Sequence, residues 1–283
     1  MSPKQRSFLS RLVPPPWRAK VPVVPVIRLS GTIGSVTPLR TGLSLSSMNE
    51  VLERAFQRKG IAAVALAINS PGGSAVQSSL IAARIRELAA RHELRVITFI
   101  EDVAASGGYW LACAGDEIYA DSSSIVGSIG VVSAGFGFVE AIRKLGIERR
   151  VHTAGENKAI LDPFRPERTE DVDRLKALQL DVHEEFKTMV RDRRAGRLKE
   201  DNPDLFTGAF WSGRRALELG LIDGIGTMHQ ILKERYGEEV VLKVVERSQA
   251  LWWRRIFPFG NPAPHEAVIE AIETRILMSR FGL

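Results

Sequence analysis

Cysteine is nearly absent from this sequence. Cys113 is the only one in 283 residues, which excludes an intrachain disulfide framework and a cysteine-rich zinc site. Its setting, LACAG, suits a small buried side chain rather than a redox centre. No run reaches the roughly 18 apolar residues that cross a bilayer, so no transmembrane helix is expected. The first twenty residues, MSPKQRSFLSRLVPPPWRAK, lack the apolar core of a signal peptide, and their prolines preclude a continuous helix. They also lack any acidic residue. Lys4, Arg6, Arg11, Arg18 and Lys20 carry most of the formal net charge of +6, so the rest of the chain is close to neutral. With no basic stripe in the body and no zinc or RNA-binding signature, a nucleic-acid partner is not expected. Phe8, Leu9, Leu12 and Trp17 interleave with those cations, a composition suited to an anionic membrane surface. The expected location is therefore cytoplasmic or at a membrane periphery.

What is present is an ordinary globular body, 45% hydrophobic and 25% charged. VPVVPVIRLSGTI reads as a first strand with its prolines placed early, and SSMNEVLERAFQRKG follows with helical spacing. IAAVALAIN is an uninterrupted apolar run, as expected of a strand buried on both faces of a parallel sheet. The alternation continues with SSLIAARIRELAARH as helix, LRVITFI as strand and SGGYWLACAGD as a short helix. EIYADSSSIVGSIGVV reads as extended, FGFVEAIRKLG as helix and IERRVHTAG as another strand. The expectation is an α/β domain of repeated βαβ units. A long amphipathic helix is expected over 169–195 with Thr169 as N-cap, then two short helices within 208–237 and a late strand in EEVVLKVVE. Three regions follow: a basic tail over 1–20, the main domain over 21–246, and an aromatic-basic segment with an amphipathic helix over 247–283. That last helix places Val268, Ile269, Ile272 and Ile276 on one face. There is no internal repeat, and PPP at 14–16 is the one low-complexity block.

Two glycine pairs follow buried strands, NSPGGS at 69–74 and ASGGYW at 105–110. Both turns fall at the carboxyl ends of parallel strands, where α/β proteins place ligands. Gly72 and Gly73 let a substrate approach the backbone, and their amides can point at a developing oxyanion. Gly107, with Gly108 beside it, offers another amide at a helix start. Ser106 between Ala105 and Gly107 is either a helix cap or a nucleophile. A serine with flanking amide donors has the parts of an acyl-transfer site.

A serine nucleophile needs a base. His92, His152, His183, His229 and His265 sit in no motif tied to an acid; His92 closes a charged helix and His183 lies on the long helix, both suited to surface or packing roles. A lysine can do the same proton transfer. Lys158, in HTAGENKAILDPFRPE, occupies a polar loop after an expected buried strand. A lysine titrating ordinarily near about 10.4 serves as base only if burial or a positive neighbour brings it down, which requires a closed site.

The order INSPGG, DVAASGGYW, GSIGV at 127–131 and GENKAILDPF closely resembles the S49 serine peptidases, the family of short-form signal peptide peptidase A, over about residues 24–245. The resemblance implies a ClpP/crotonase-like core with additional C-terminal helices, which agrees with the βαβ reading. It implies Ser106 as nucleophile, Lys158 as general base, Gly73 and Gly107 as oxyanion donors, and Ser128 orienting the lysine, with no metal or nucleotide cofactor. Gly72 and Gly108 would line the substrate cleft. Peptide or protein substrates are implied, remnant signal peptides and other apolar segments among them. So is a homo-oligomeric ring, in which a neighbouring protomer can supply the lysine. The larger relatives' N-terminal membrane span has no counterpart here, and the C-terminal aromatic-basic segment lies outside the resemblance. Two other readings are a crotonase-like acyl-CoA enzyme, which would leave Ser106 and Lys158 without roles, and a scaffold that binds peptides without cutting them.

Overall fold

The computed structural model describes residues 21–34, 42–246 and 281. The α/β alternation expected from the sequence is present. Strand β1 (Val23–Ser30), helix α1 (Leu45–Phe56), β2 (Val64–Ser70), α2 (Ala75–His92) and β3 (Val96–Ala105) form two successive βαβ units. They lead into the short α3 (Gly107–Ala112), β4 (Glu117–Ala120) and β5 (Ile125–Gly127). After a small helix α4 (Val139–Lys144) comes the long α5 (Thr169–Arg193). The chain ends its described course with β6 (Phe210–Ser212), α6 (Gly213–Glu218), β7 (Gly224–Ile225), α7 (Met228–Tyr236) and β8 (Val241–Val244).

One sheet runs β6-β5-β3-β2-β1-β8, with β4 also on β3 and β7 on β4; its pairings are parallel except β5 with β6. Burial on both faces explains the unbroken apolar run of β2. Val64, Leu66 and Ile68 join the larger core with α1 and α2, while Ala63, Ala65 and Ala67 face the smaller one, where Leu232 of α7 packs. Strand β3 changes partner along its length. Residues 97–100 pair with β4 and 103–105 with β5, and the register against β2 shifts between Ile68 and Ser70. Such an irregularity re-aims the strand end, here the end that delivers Ser106.

Two expectations are corrected. Residues 147–155 form no strand; they are exposed, apart from the half-buried Val151, and pair with nothing in the sheet. Lys158 therefore does not follow a buried strand. Its segment belongs to an arm over about 131–168 that leaves the body after β5 and returns at α5, and α4 within it has no buried residue. Thr169 is the first helical residue of α5 rather than its cap; Arg168 holds that place with no side-chain capping bond. The tail over 1–20 and nearly all of 247–283, including the expected terminal helix, lie outside the described residues. Among the described residues no helix is long and apolar enough to cross a membrane.

Cys113 is buried, and burial pushes its thiol up to about 11. Helix α7 is tied to β4 by Arg235, whose guanidinium grips Glu117 with both nitrogens at 2.7 and 2.6 Å. That grip, with a bond from the Tyr119 hydroxyl at 2.8 Å, holds the Glu117 carboxyl at about 2. A folded-state value below the ordinary one stabilises the fold above about 4.5 and loses that stabilisation as pH falls towards 2. Arg235→Gln should therefore lower stability by about 1–2 kcal/mol at neutral pH. Urea titrations should show its deficit against the wild type shrinking as pH drops through that window.

Candidate active site

Strand β3 ends at Ala105 and helix α3 begins at Gly107, so a single residue makes the turn. Ser106 does so at φ 53° and ψ −122°, a left-handed conformation that costs a non-glycine residue of order 1–3 kcal/mol. It occupies the N-cap position of α3, yet its side chain makes no capping hydrogen bond. Of the two roles open to it, the cap is therefore unused. The turn is pinned through the backbone: the Ser106 amide donates to the Gly127 carbonyl at 2.8 Å, and its own carbonyl accepts from the Tyr109 and Trp110 amides.

The other glycine pair lies directly against this turn. Gly72 has φ 105°, and a Cβ there would come within 2.8 Å of the Ala105 carbonyl and 2.9 Å of the Ser106 Cβ. Gly73 has φ 141° and lies beside Ile33, whose carbonyl accepts the Ser74 amide. Ser74 then caps α2 by accepting from the Gln77 amide. The Gly73 amide lies 3.5 Å from where a Gly107 Cβ would be, so the two turns meet at Gly107. Among the described residues no carbonyl engages the Gly73 or Gly107 amide. Gly108 lies underneath, packed on Ser70.

A cleft of about 680 Å³ opens above this junction. Ser106, Gly72, Gly73, Gly107 and Ser128 all line it. Its remaining wall is apolar or small, with Pro71, Trp110, Val131, Val132, Val182 and Phe186 prominent and no charged side chain among the described residues. Trp110 stacks on Phe186 with ring centroids 4.8 Å apart. Ser128 also has a positive φ of 53°, and its amide donates to the Ala209 carbonyl at 2.7 Å.

Lys158 is not brought into this assembly within one chain. It is exposed, lies on the arm, and is absent from the lining of the cleft. The arm itself carries unshielded apolar groups, with Phe136 82% and Leu145 73% exposed. Its Phe138 and Phe164 rings lie 5.5 Å apart, and the Arg149 guanidinium sits over Phe164 while bonding Asp162 at 3.0 Å. The Phe164 amide and Arg149 hold the Asp162 carboxyl below its ordinary range.

Three supports of the site escape sequence reasoning. The Tyr109 hydroxyl donates to the Leu221 carbonyl at 2.7 Å, and Arg194, 1% exposed, bonds the Gly220 carbonyl and Asp223. The first ties α3, and the second ties the end of α5, to the turn before β7. His183 of α5 reaches the Ile129 carbonyl, one residue from Ser128. Nothing in a string such as RDRRAGR distinguishes the buried Arg194 from the exposed Arg191 and Arg197. Among the described residues no group of three or more His, Cys, Asp or Glu side chains is placed to hold a metal ion.

Residues 89–241 match the family model described as Peptidase family S49. The chain is 57% identical over 288 residues to a Brucella melitensis protein named Na(+)/H(+) antiporter NhaA, covering 98% of the present chain and 39% of that relative. The exchange activity in that name is said of the longer protein, of which this chain spans well under half. The chloroplastic serine protease SPPA of Arabidopsis thaliana is 30% identical over 217 residues, 74% of this chain and 31% of that one. Protein slr0021 of Synechocystis sp., named as an inferred protease, is 32% identical over 203 residues, 71% of this chain and 69% of its own length.

Because a Cβ on Gly72 would press on Ser106, Gly72→Ala should displace the turn and cut any hydrolysis that runs through the Ser106 hydroxyl about tenfold or more. Gly60→Ala carries a similar conformational cost at φ 74° but meets open space, so it should leave activity near wild type. Steady-state hydrolysis by the two variants checks the contrast.

Proposed function

The chain belongs to peptidase family S49, and from that premise we propose that it is a serine endopeptidase in which Ser106 attacks and Lys158 is the general base. The observation that carries this reading is Ser106 itself. It is a serine without a capping bond at a strained strand-to-helix turn, beside two glycine amides, on a cleft with no charged wall among the described residues.

In the proposed reaction the neutral Lys158 amine takes the Ser106 hydroxyl proton as Oγ bonds to the scissile carbonyl carbon. The Gly73 and Gly107 amides stabilise the resulting oxyanion. Collapse of that intermediate breaks the C–N bond, and Lys158 returns the proton to the leaving amine. Water, deprotonated by the same lysine, then hydrolyses the acyl-enzyme. Ser128, on the cleft rim, orients the lysine. An apolar wall suits uncharged side chains of an extended peptide, so remnant signal peptides and similar apolar segments are the proposed substrates.

Water keeps an exposed ammonium protonated, and a base has to be desolvated to act near neutral pH. The exposed position of Lys158 on an arm with bare apolar side chains supports a ring in which each arm packs on the neighbouring copy and lends it the lysine. Burial of Phe136 and Leu145 in that contact would stabilise the ring, each by about 1.5–3 kcal/mol.

Ser106→Ala and Lys158→Ala should each lose about 10³-fold or more in casein and peptide hydrolysis, with the assembly intact by light scattering. Mixing the two inactive variants under subunit exchange should restore activity, since each supplies what the other lacks. No recovery would place the lysine within one chain, and full activity of Lys158→Ala would remove it as the base.

A further inference from the structure

The rim of the cleft that carries Gly130, Val131 and Val132 has little of its own to hold it in place. Up to Ser128 the segment is well tied. Gly127 accepts from the Ser106 amide and pairs with Phe210, and the Ser128 amide donates to Ala209. Beyond Ile129, no backbone hydrogen bond among the described residues engages 130–137, until the Phe138 amide meets the Pro163 carbonyl. Val132 is 68% exposed although it lines the cleft. This is also where the arm departs.

One side chain sits at that junction. His183, half-buried on α5, places Nε2 3.1 Å from the carbonyl oxygen of Ile129, whose own side chain is fully buried. A carbonyl only accepts, so Nε2 carries the proton and donates. Both the Nε2–H tautomer and the imidazolium can do so, and the contact therefore survives a change in protonation. Its helix neighbour Val182 and, one turn on, Phe186 form the opposite wall of the same cleft. The imidazole thus adds a polar tie between the α5 wall and the last anchored residue before the free rim, beside the core packing of Ile129 and Phe186.

We infer that His183 is a positioning residue for peptide binding, holding the Gly130–Val132 rim at the spacing an extended substrate requires. The inference rests on the reading of the Ser106 cleft as a peptide site. It assigns His183 no proton transfer, because its bonded nitrogen is committed to Ile129 and it does not line the cleft.

His183→Phe keeps a ring but removes the donor. It should raise KM for the best-cleaved peptide of a fluorogenic library about fivefold, the worth of one hydrogen bond, with kcat within about twofold. Labelling of Ser106 by a small fluorophosphonate, which needs no rim, should proceed at the wild-type rate. His183→Gln, whose amide can reach the same carbonyl, should recover much of the lost affinity. If His183→Phe does not fold, His183→Asn, too short to reach, carries the same expectation. An unchanged KM in the donor-less variant overturns the inference, and so does a fall in labelling rate that matches the fall in kcat. Peptide affinity in a Ser106→Ala background, read by fluorescence anisotropy, gives the same comparison without turnover. A nucleophile that fails to label and a rim that fails to position are thereby told apart.

Discussion

Everything at the cleft depends on the reversal of the chain at Ser106. Strand β3 has to end and helix α3 has to begin within one residue, and the backbone meets that requirement only in a left-handed conformation. The surrounding structure has to hold it there. The Gly127 carbonyl takes the Ser106 amide, Gly72 leaves room that a Cβ would fill, and α3 is buried from Gly107 to Ala112. Tyr109 fastens that helix to the turn before β7, and the buried Arg194 fastens the end of α5 to the same turn. Strain localised at one residue and supported on every side is how a fold presents a side chain it does not use for packing.

The split partnership of β3 belongs to the same arrangement. Its first half builds the sheet with β4, and its second half pairs with β5, which also supplies the carbonyl that pins Ser106 and leads on to Ser128 and the cleft rim. Turn and sheet edge are therefore one continuous hydrogen-bonded unit that ends at Ile129, just before the rim. Beyond it the chain passes into an arm whose exposed apolar side chains find no core among the described residues. Among the described residues the body holds the buried core, and α4 of the arm contributes nothing to it.

That difference also marks what could be read from the sequence. Strands β1, β2 and β3 and both glycine pairs were legible because burial on both faces writes an unbroken apolar run, and a tight turn writes glycine. IERRVHTAG failed as a strand because its residues lie on an exposed arm and pair with nothing in the sheet. The cleft-lining positions of Ser106, Gly72, Gly73 and Gly107 were legible as motifs at strand ends, and that of Ser128 only through the family resemblance. The position of Lys158 relative to them was not, since spacing along the chain carries no information about an excursion away from the core. Arg194 and His183 act through carbonyls brought near by tertiary packing, which no local pattern announces.

The central claim is that the turn at β3 makes one serine, and no other, a nucleophile. The most direct measurement is site mapping by peptide mass spectrometry after treating the assembled protein with a fluorophosphonate. The account predicts a single covalent adduct at Ser106, lost when the protein is unfolded before exposure. Modification spread over other serines, or an unmodified Ser106 in a folded and assembled protein, would contradict it.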